Sequence, residues 1–505
     1  MRAALLVGAL LVTITSYTEA GNTVYVDADA TGPVHDGSSW CSAYLDLQQA
    51  LAVAGAGTEI RVAQGVYRPA SAGGSREAAF AVPSDVTLLG SFQGCGTPDP
   101  DERDYLLYAT VLSGDLDGDD GPNFANRTDN VYHVVTTHDV SAATVLDGLT
   151  IRGGHADGPN AGPSVDSRDQ GSGVNNYHGQ PTLSNCTLVD NFAANHGTFN
   201  DHGDATLTDC TFKDNRTDNI AAGLYSHFDA VSTVTGCRFE NNATAGDGGG
   251  AYLKGTNASV FTDCVFTGNE AVKGGGLYIQ GGSNPRLTSC TFVDNRAEER
   301  GGGLYTQEST VTLDGCSFSA DDNPGSSAFF GGGLYASDSE VIATDCAFLD
   351  HTLTGNLNGD KAKGGGLYAL QSSVTLESCT ISGNAVYGGA EPLAGGGGGV
   401  YAEDTNLTLS NCTIRVPPRP LISSCCPLNS ASANGPSSSD AASALRSLVD
   451  PGRIDGPDSC EFRLGNLPPV ARSSTARGAA SFERRNGTAP VPRQQSRGSP
   501  DRFRL

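Results

Sequence analysis

Apolar and polar positions alternate in short bursts along most of this chain, and the bursts recur. In CTFVDNRAEERGGGLY, from Cys290 to Tyr305, a cysteine is followed two residues later by Phe292 and five residues later by Asn295. A glycine triplet ending in Leu304-Tyr305 then closes the unit. Nine cysteines keep this register: Cys186, Cys210, Cys237, Cys264, Cys290, Cys316, Cys346, Cys379 and Cys412, at spacings of 24 to 33 residues. The residue two places on is always apolar, from Leu188 through Phe212, Phe239, Phe266, Phe292, Phe318 and Phe348 to Ile381 and Ile414. A third apolar patch precedes the cysteine, as in STVTLDGC (309–316) and SSVTLESC (372–379). Each repeat therefore predicts three short β-strands parted by turn residues, with no run long enough for an amphipathic helix.

Three short strands in each turn of this length describe a parallel β-solenoid, in which each strand pairs with its equivalent one coil away, ~4.8 Å along the axis. Equivalent residues then stack on themselves. Cys and Phe, two apart on a strand, both point inward. The Asn column is expected at a corner, in left-handed backbone geometry and with its amides hydrogen-bonded along the stack. The glycines let the other corner bend tightly at positive φ. Cysteines ~4.8 Å apart are within disulfide reach, but an odd count and parallel Cβ vectors favour buried free thiols. Cys41 and Cys95 lie outside the ladder and are available to pair in the cap.

Residues 21–160 lack the full repeat. VYVDADATG reads as an opening strand, and LDLQQALAVAG as a short amphipathic helix ending at Gly55, suited to plug the open end of a solenoid. The segments VTLLGSFQG, TVLSGDLDGDDG, NVYHVV and LDGLTIRGGHADG, with the FxxN and GGGLY elements, resemble secreted bacterial proteins with right-handed parallel β-helix repeats of the pectin-lyase-like superfamily. The repeats are similar to those of polymorphic outer membrane proteins. The resemblance spans roughly residues 22–416. It implies an all-β fold: a right-handed parallel β-helix with an N-terminal capping helix and a disordered C-terminal tail. The expected segments are a signal peptide (1–20), a cap with irregular first coils (21–160), regular repeats (161–416) and an Arg/Pro/Ser-rich tail (417–505).

Composition changes this picture in three places. The start carries Arg2, an apolar stretch and Thr18-Glu19-Ala20, the pattern of a cleaved secretory signal, so the 14 cysteines would meet an oxidising compartment. A formal charge of −25 argues against a nucleic-acid partner, and no later apolar run is long enough to span a membrane. After Ile414 the repeat stops mid-coil; residues 417–505 hold twelve Arg, no Lys and seven acidic residues, a reversal of sign that reads as disorder.

Chemistry is harder to find. Among proteins of the resembled fold, lyases use clustered acids with Ca²⁺ and a basic residue, and hydrolases use separated Asp pairs with His and Arg-x-Lys elements; no Arg-x-Lys occurs here. In SGDLDGDDGPN, Asp115, Asp117, Asp119 and Asp120 fall in one Gly-containing loop, a candidate oxygen cage for Ca²⁺, against the plainer reading of a solvated acidic loop. Counting three places beyond the Leu of the Gly-rich element gives His227, Lys254, Gln280 and Gln307. His202 joins them if Phe199 is the equivalent, with His178 nearby and Asp201 and Asp204 flanking. Stacked imidazoles can bind a metal or exchange protons, whereas the plainer reading is a polar turn edge. The expectation is a secreted or cell-surface scaffold, adhesive, structural or glycan-binding, with a polysaccharide or cell-surface component as partner. The alternative is a polysaccharide lyase or glycoside hydrolase working in the solenoid groove.

Overall fold

A computed structural model describes residues 22–159, 167–201, 203–227, 230–255, 258–320, 330–354, 362–387, 398–416 and 460–463. The chain winds as a parallel β-solenoid. The first sheet runs from Thr23–Val26 to Asn406–Ser410, the second from Gly65–Tyr67 to Thr413–Val416, and the third from Phe80–Ala81 to Val400–Glu403. Within the coils the strand pairings are parallel, with register shifts only after Arg61 and after Ala271, so Phe239 sits opposite Phe266 and Tyr278 opposite Tyr305.

The columns form as the sequence predicts. From Phe212 to Phe348 the phenylalanine rings stack at 4.6–5.0 Å between centroids. The nine ladder cysteines are buried and unbridged, and Cys41 pairs with Cys95 in a disulfide. The capping helix is Leu47–Val53, with the Asp46 side chain accepting from Gln48 N and with Leu47, Ala50 and Leu51 buried. It ends two residues before Gly55, with Ala54 as its C-cap.

Three expectations change. First, among the described residues eight coils carry a fourth short strand just after the corner of the Asn column: six in one sheet from His155–Ala156 to Arg296–Arg300, and two more, Thr352–Thr354 and Ala385–Tyr387, paired with each other. In the six, inward positions hold small residues: Ala193, Thr217, Thr244, Ala271 and Ala297 are all buried. Second, the left-handed residue is the one before the Asn. Asp190, Asp214, Asn241 and Asp294 have φ of 53–55°. The Asn itself is freed to bond: Asn242 Nδ2 donates to Phe212 O at 2.9 Å and to Asn269 Oδ1 at 3.0 Å. Third, only the first glycine of a triplet needs positive φ, as Gly274 does at 62°. The third is required by closeness, since a Cβ on Gly276 would lie 2.6 Å from Gly303 O.

The expected tail lies outside the described residues except at Cys460–Arg463. There the chain forms a strand, antiparallel to Thr413–Val416.

Candidate functional site

The outer face of the third sheet carries the clearest departure from a plain scaffold. On each strand the Leu of GGGLY turns into the core and the Tyr turns outward, yet Tyr225, Tyr252, Tyr278, Tyr305, Tyr335 and Tyr368 form a second apolar cluster with exposures of 1–4 %. From Tyr252 to Tyr401 the rings stack at 4.7–5.3 Å. Stacking face to face leaves the hydroxyl edges as the polar part of this strip.

Two columns flank the tyrosines. On one side register places Lys254 opposite Gln280 and Gln280 opposite Gln307. The Tyr252 hydroxyl meets Gln280 Oε1 at 2.6 Å, and the Tyr368 hydroxyl donates to Glu403 Oε2 at 3.0 Å. On the other side stand His196, Ile220, Asp247, Lys273, Arg300, Phe330 and Lys363, the residue before each Gly-type corner. Arg300 lies 5.3 Å from the Tyr335 ring centre and Lys363 lies 4.5 Å from that of Tyr401. Lys273 faces Asp247 at 4.0 Å and Lys363 faces Glu403 at 3.2 Å. Three of the chain's five lysines, Lys254, Lys273 and Lys363, are on this face. Desolvation raises the Tyr305 hydroxyl to about 12, so the row stays protonated at neutral pH.

The early coils differ. At the tyrosine register stand Asn175 and Asn200. His196 supplies the missing ring, stacked on Tyr225 at 4.4 Å. Desolvation lowers its pKa to about 4, with Asp169 acting against this and Lys254 with it. Its Nδ1 is 2.9 Å from Gln170 Oε1, a contact that holds the ring against that side chain. Nearby, Gln170 Nε2, Ser172 Oγ and Thr198 Oγ1 are buried without a hydrogen-bond partner among the described residues. In later coils glycines fill this corner.

The histidine column is only partly assembled. Phe199 does pair with Leu224, and Val174 with Phe199. Three places on, that register reaches Tyr177, residue 202, His227 and Lys254, so His178 falls one place outside it. His178 is an exposed left-handed residue (φ 56°), 3.8 Å from Asp139 and stacked on Tyr177. His202 lies outside the described residues, as does the Asp201 side chain, although the Asp201 backbone ends the strand Phe199–Asp201. His227 tilts against Tyr225 at 5.2 Å. Asp204 accepts from Val231 N at 2.9 Å, a bond between neighbouring coils. His196 was not singled out from the sequence. Its only signal is its place just before Gly197, three positions ahead of Phe199 and on the far side of that element from residue 202.

The acidic loop also rearranges the expected set. Asp115, Asp119 and Asp129 each offer an oxygen within 4.8 Å of the others. Asp115 Oδ1 also takes the backbone N–H of Gly118 and Asp119. Asp117 turns away to accept from Gly73 N at 2.8 Å. Asp120 is 3.4 Å from the buried Arg127, and burial pushes its carboxyl up despite that cation. Asp129 is brought in by the fold from the far end of the loop.

Comparison with known proteins bears on the fold. The model of a right-handed beta helix region matches residues 171–348 and 300–417. No curated protein matches the chain by sequence. Similar solved structures include the A-module of the Azotobacter vinelandii mannuronan C-5 epimerase AlgE4, at 15% identity over 78% of this chain and 97% of that one, with a TM-score of 0.32. Tailspike protein 3 of bacteriophage CBA120 has 12% identity over 78% and 61% of the two chains, with a TM-score of 0.28. XylC in complex with xylose has 10% identity over 76% and 86%, with a TM-score of 0.29.

Proposed function

We propose that this chain, which matches the model of a right-handed beta helix region over residues 171–348 and 300–417, is a secreted or cell-surface scaffold that holds an extended polysaccharide along the outer face of its third sheet. The observation that carries this is the tyrosine row, repeated at steps of 4.7–5.3 Å, with Gln280 and Gln307 on one edge and Lys273, Arg300 and Lys363 on the other. That step is close to the length of one sugar residue in an extended chain. The tyrosines themselves are buried, so it is the half-exposed Lys254, Gln280, Gln307 and Arg300 flanking them that offer hydrogen bonds in phase with successive sugars. On a chain of charge −25, three of five lysines gathered on one face also favour a glycan bearing some negative charge.

The test is equilibrium binding of the whole protein to a panel of neutral and uronate polysaccharides. The expected result is binding that weakens at least about tenfold, or ~1.4 kcal/mol, in Lys254→Ala combined with Arg300→Ala. Absence of binding across the panel overturns the reading.

One feature favours the enzyme alternative: the oriented, neutral His196, on which both Lys254 and Asp169 act. A neutral imidazole keeps one ring nitrogen as an acceptor at neutral pH, and a pKa of about 4 makes it a weak base that needs its proton acceptance aided by a neighbouring charge. If the protein is a lyase, it releases unsaturated ends from a uronate polymer, and His196→Ala abolishes that release while binding persists. We also propose Asp115, Asp119 and Asp129 as the place for Ca²⁺, a hard cation that takes carboxylate oxygens.

A further inference from the structure

A parallel solenoid is self-propagating: the edge of each coil has the shape and register of the coil that follows. Its last coil is therefore a template for more chain. At the N-terminal end the helix Leu47–Val53 interrupts this. At the other end the last described coil is bare on two of its three edges. The strands Val400–Glu403 and Asn406–Ser410 have no further partner among the described residues. Core-facing Leu367, Val374, Leu376 and Ile381 are 0 % exposed one coil earlier, but Val400, Leu407, Leu409 and Ile414 are only half-buried.

The third edge is different. Cys460–Arg463 pairs with Thr413–Val416, with Ile414 opposite Phe462 and Arg415 opposite Glu461. It runs antiparallel, whereas all other strand pairs in the described sheets run parallel. An antiparallel strand satisfies the edge but does not offer the phase that a further parallel coil needs. We infer that Cys460–Arg463 is the terminating strand of the solenoid, and that it excludes a second copy of this chain from pairing tail to tail on that edge. Charge supports the occupant. Residues 417–505 carry twelve Arg against seven acids, opposite in sign to the acidic remainder, and Glu377, Glu403 and Asp404 lie on the last two coils. A second copy would instead bring like charge to that end. This inference is independent of the glycan reading.

The experiment compares the full chain with two full-length variants, one lacking residues 460–463 and one carrying Phe462→Pro, which removes a backbone donor from the strand. Sedimentation velocity reads association, and hydrogen exchange reads the amides of Thr413–Val416. The full chain should be monomeric with slowly exchanging amides there. Both variants should exchange faster at those amides and form concentration-dependent tail-to-tail dimers, with the exchange of Thr291–Val293 in the central coils unchanged. A full chain that exchanges rapidly at Thr413–Val416 overturns the inference. So do variants that remain monomeric with wild-type exchange. If the variants exchange faster but stay monomeric, the strand covers the edge and the exclusion of a second copy is overturned.

Discussion

His196 lies flat on Tyr225, with ring centroids 4.4 Å apart and planes 5° from parallel. An imidazole thus extends a ladder that later coils build from tyrosine. The aromatic contact places a titratable ring where its charged form is poorly solvated, and its pKa falls to about 4.

That burial sets a pH dependence. His133, which hydrogen-bonds Gly171 O, is likewise lowered to about 4 by desolvation. Unfolded histidine titrates near ~6.5, so between there and about 4 the unfolded chain binds more protons. The stabilisation is complete above ~6.5 and is lost as pH falls through about 4. Each imidazole contributes on the order of 2–3 kcal/mol. Asp120 and Asp247, raised by burial, act in the opposite sense at the acid end. Urea unfolding of the wild type and of His133→Gln combined with His196→Phe should isolate the histidines. The variant's stability should fall less across this window, and equal slopes would remove the explanation.

The Asn ladder is a second test. Asn269 is fully buried, donates to Phe239 O at 2.8 Å and to Asn295 Oδ1 at 2.9 Å, and accepts from Asn242. Asn269→Ala leaves buried groups on two neighbouring coils unpaired and should cost about 2–5 kcal/mol in chemical denaturation. Asn269→Asp should be no better, because a carboxylate cannot donate. A loss under ~0.5 kcal/mol would show that the ladder is incidental.

Two glycines separate crowding from open space. Gly276→Ala drives a methyl to 2.6 Å from Gly303 O and 2.8 Å from the Phe292 ring, whereas a methyl on Gly55 meets nothing within 4 Å. The first should destabilise by more than ~2 kcal/mol, and the second should change stability by less than ~1 kcal/mol. Thermal melts decide, and similar losses at both sites would refute the stacking argument.

The cysteines should behave as two populations. With Cys425, Cys426 and Cys460 replaced by serine, the nine ladder thiols are buried and should react with an aromatic disulfide reagent only on unfolding. Reducing Cys41–Cys95, 54 residues apart, should cost about 3–4 kcal/mol by the chain-entropy model. Rapid labelling of the native ladder would overturn the closed core.

Calcium separates the acids of the 115–130 loop. Adding Ca²⁺ should raise the melting temperature by several degrees, and chelation should reverse the rise. Asp115→Asn and Asp129→Asn should abolish the shift, and Asp117→Asn should keep it, since Asp117 serves Gly73 N. An unchanged melting temperature, or equal loss in all three variants, removes the proposal.

The repeat made most of the fold legible in advance. A residue type recurring every 24–33 positions has to stack on itself in a solenoid, so the inward Phe and Cys columns, the Asn ladder and the tight Gly corners followed from spacing alone. What spacing does not carry is the side-to-side distance between columns, or the direction of any residue that breaks the repeat. The fourth strand was hidden because its inward residues are small, such as Ala271 and Ala297, and leave no hydrophobic signal. His178 was misplaced by one position because the early corners vary in length. His196 and Asp129 went unnoticed because each meets its neighbours only after the chain has turned a full coil or closed a long loop. The sequence by itself determined which residues stack along the axis, since register is a one-dimensional property. The tertiary structure alone decided which columns lie side by side, since that depends on how each corner turns.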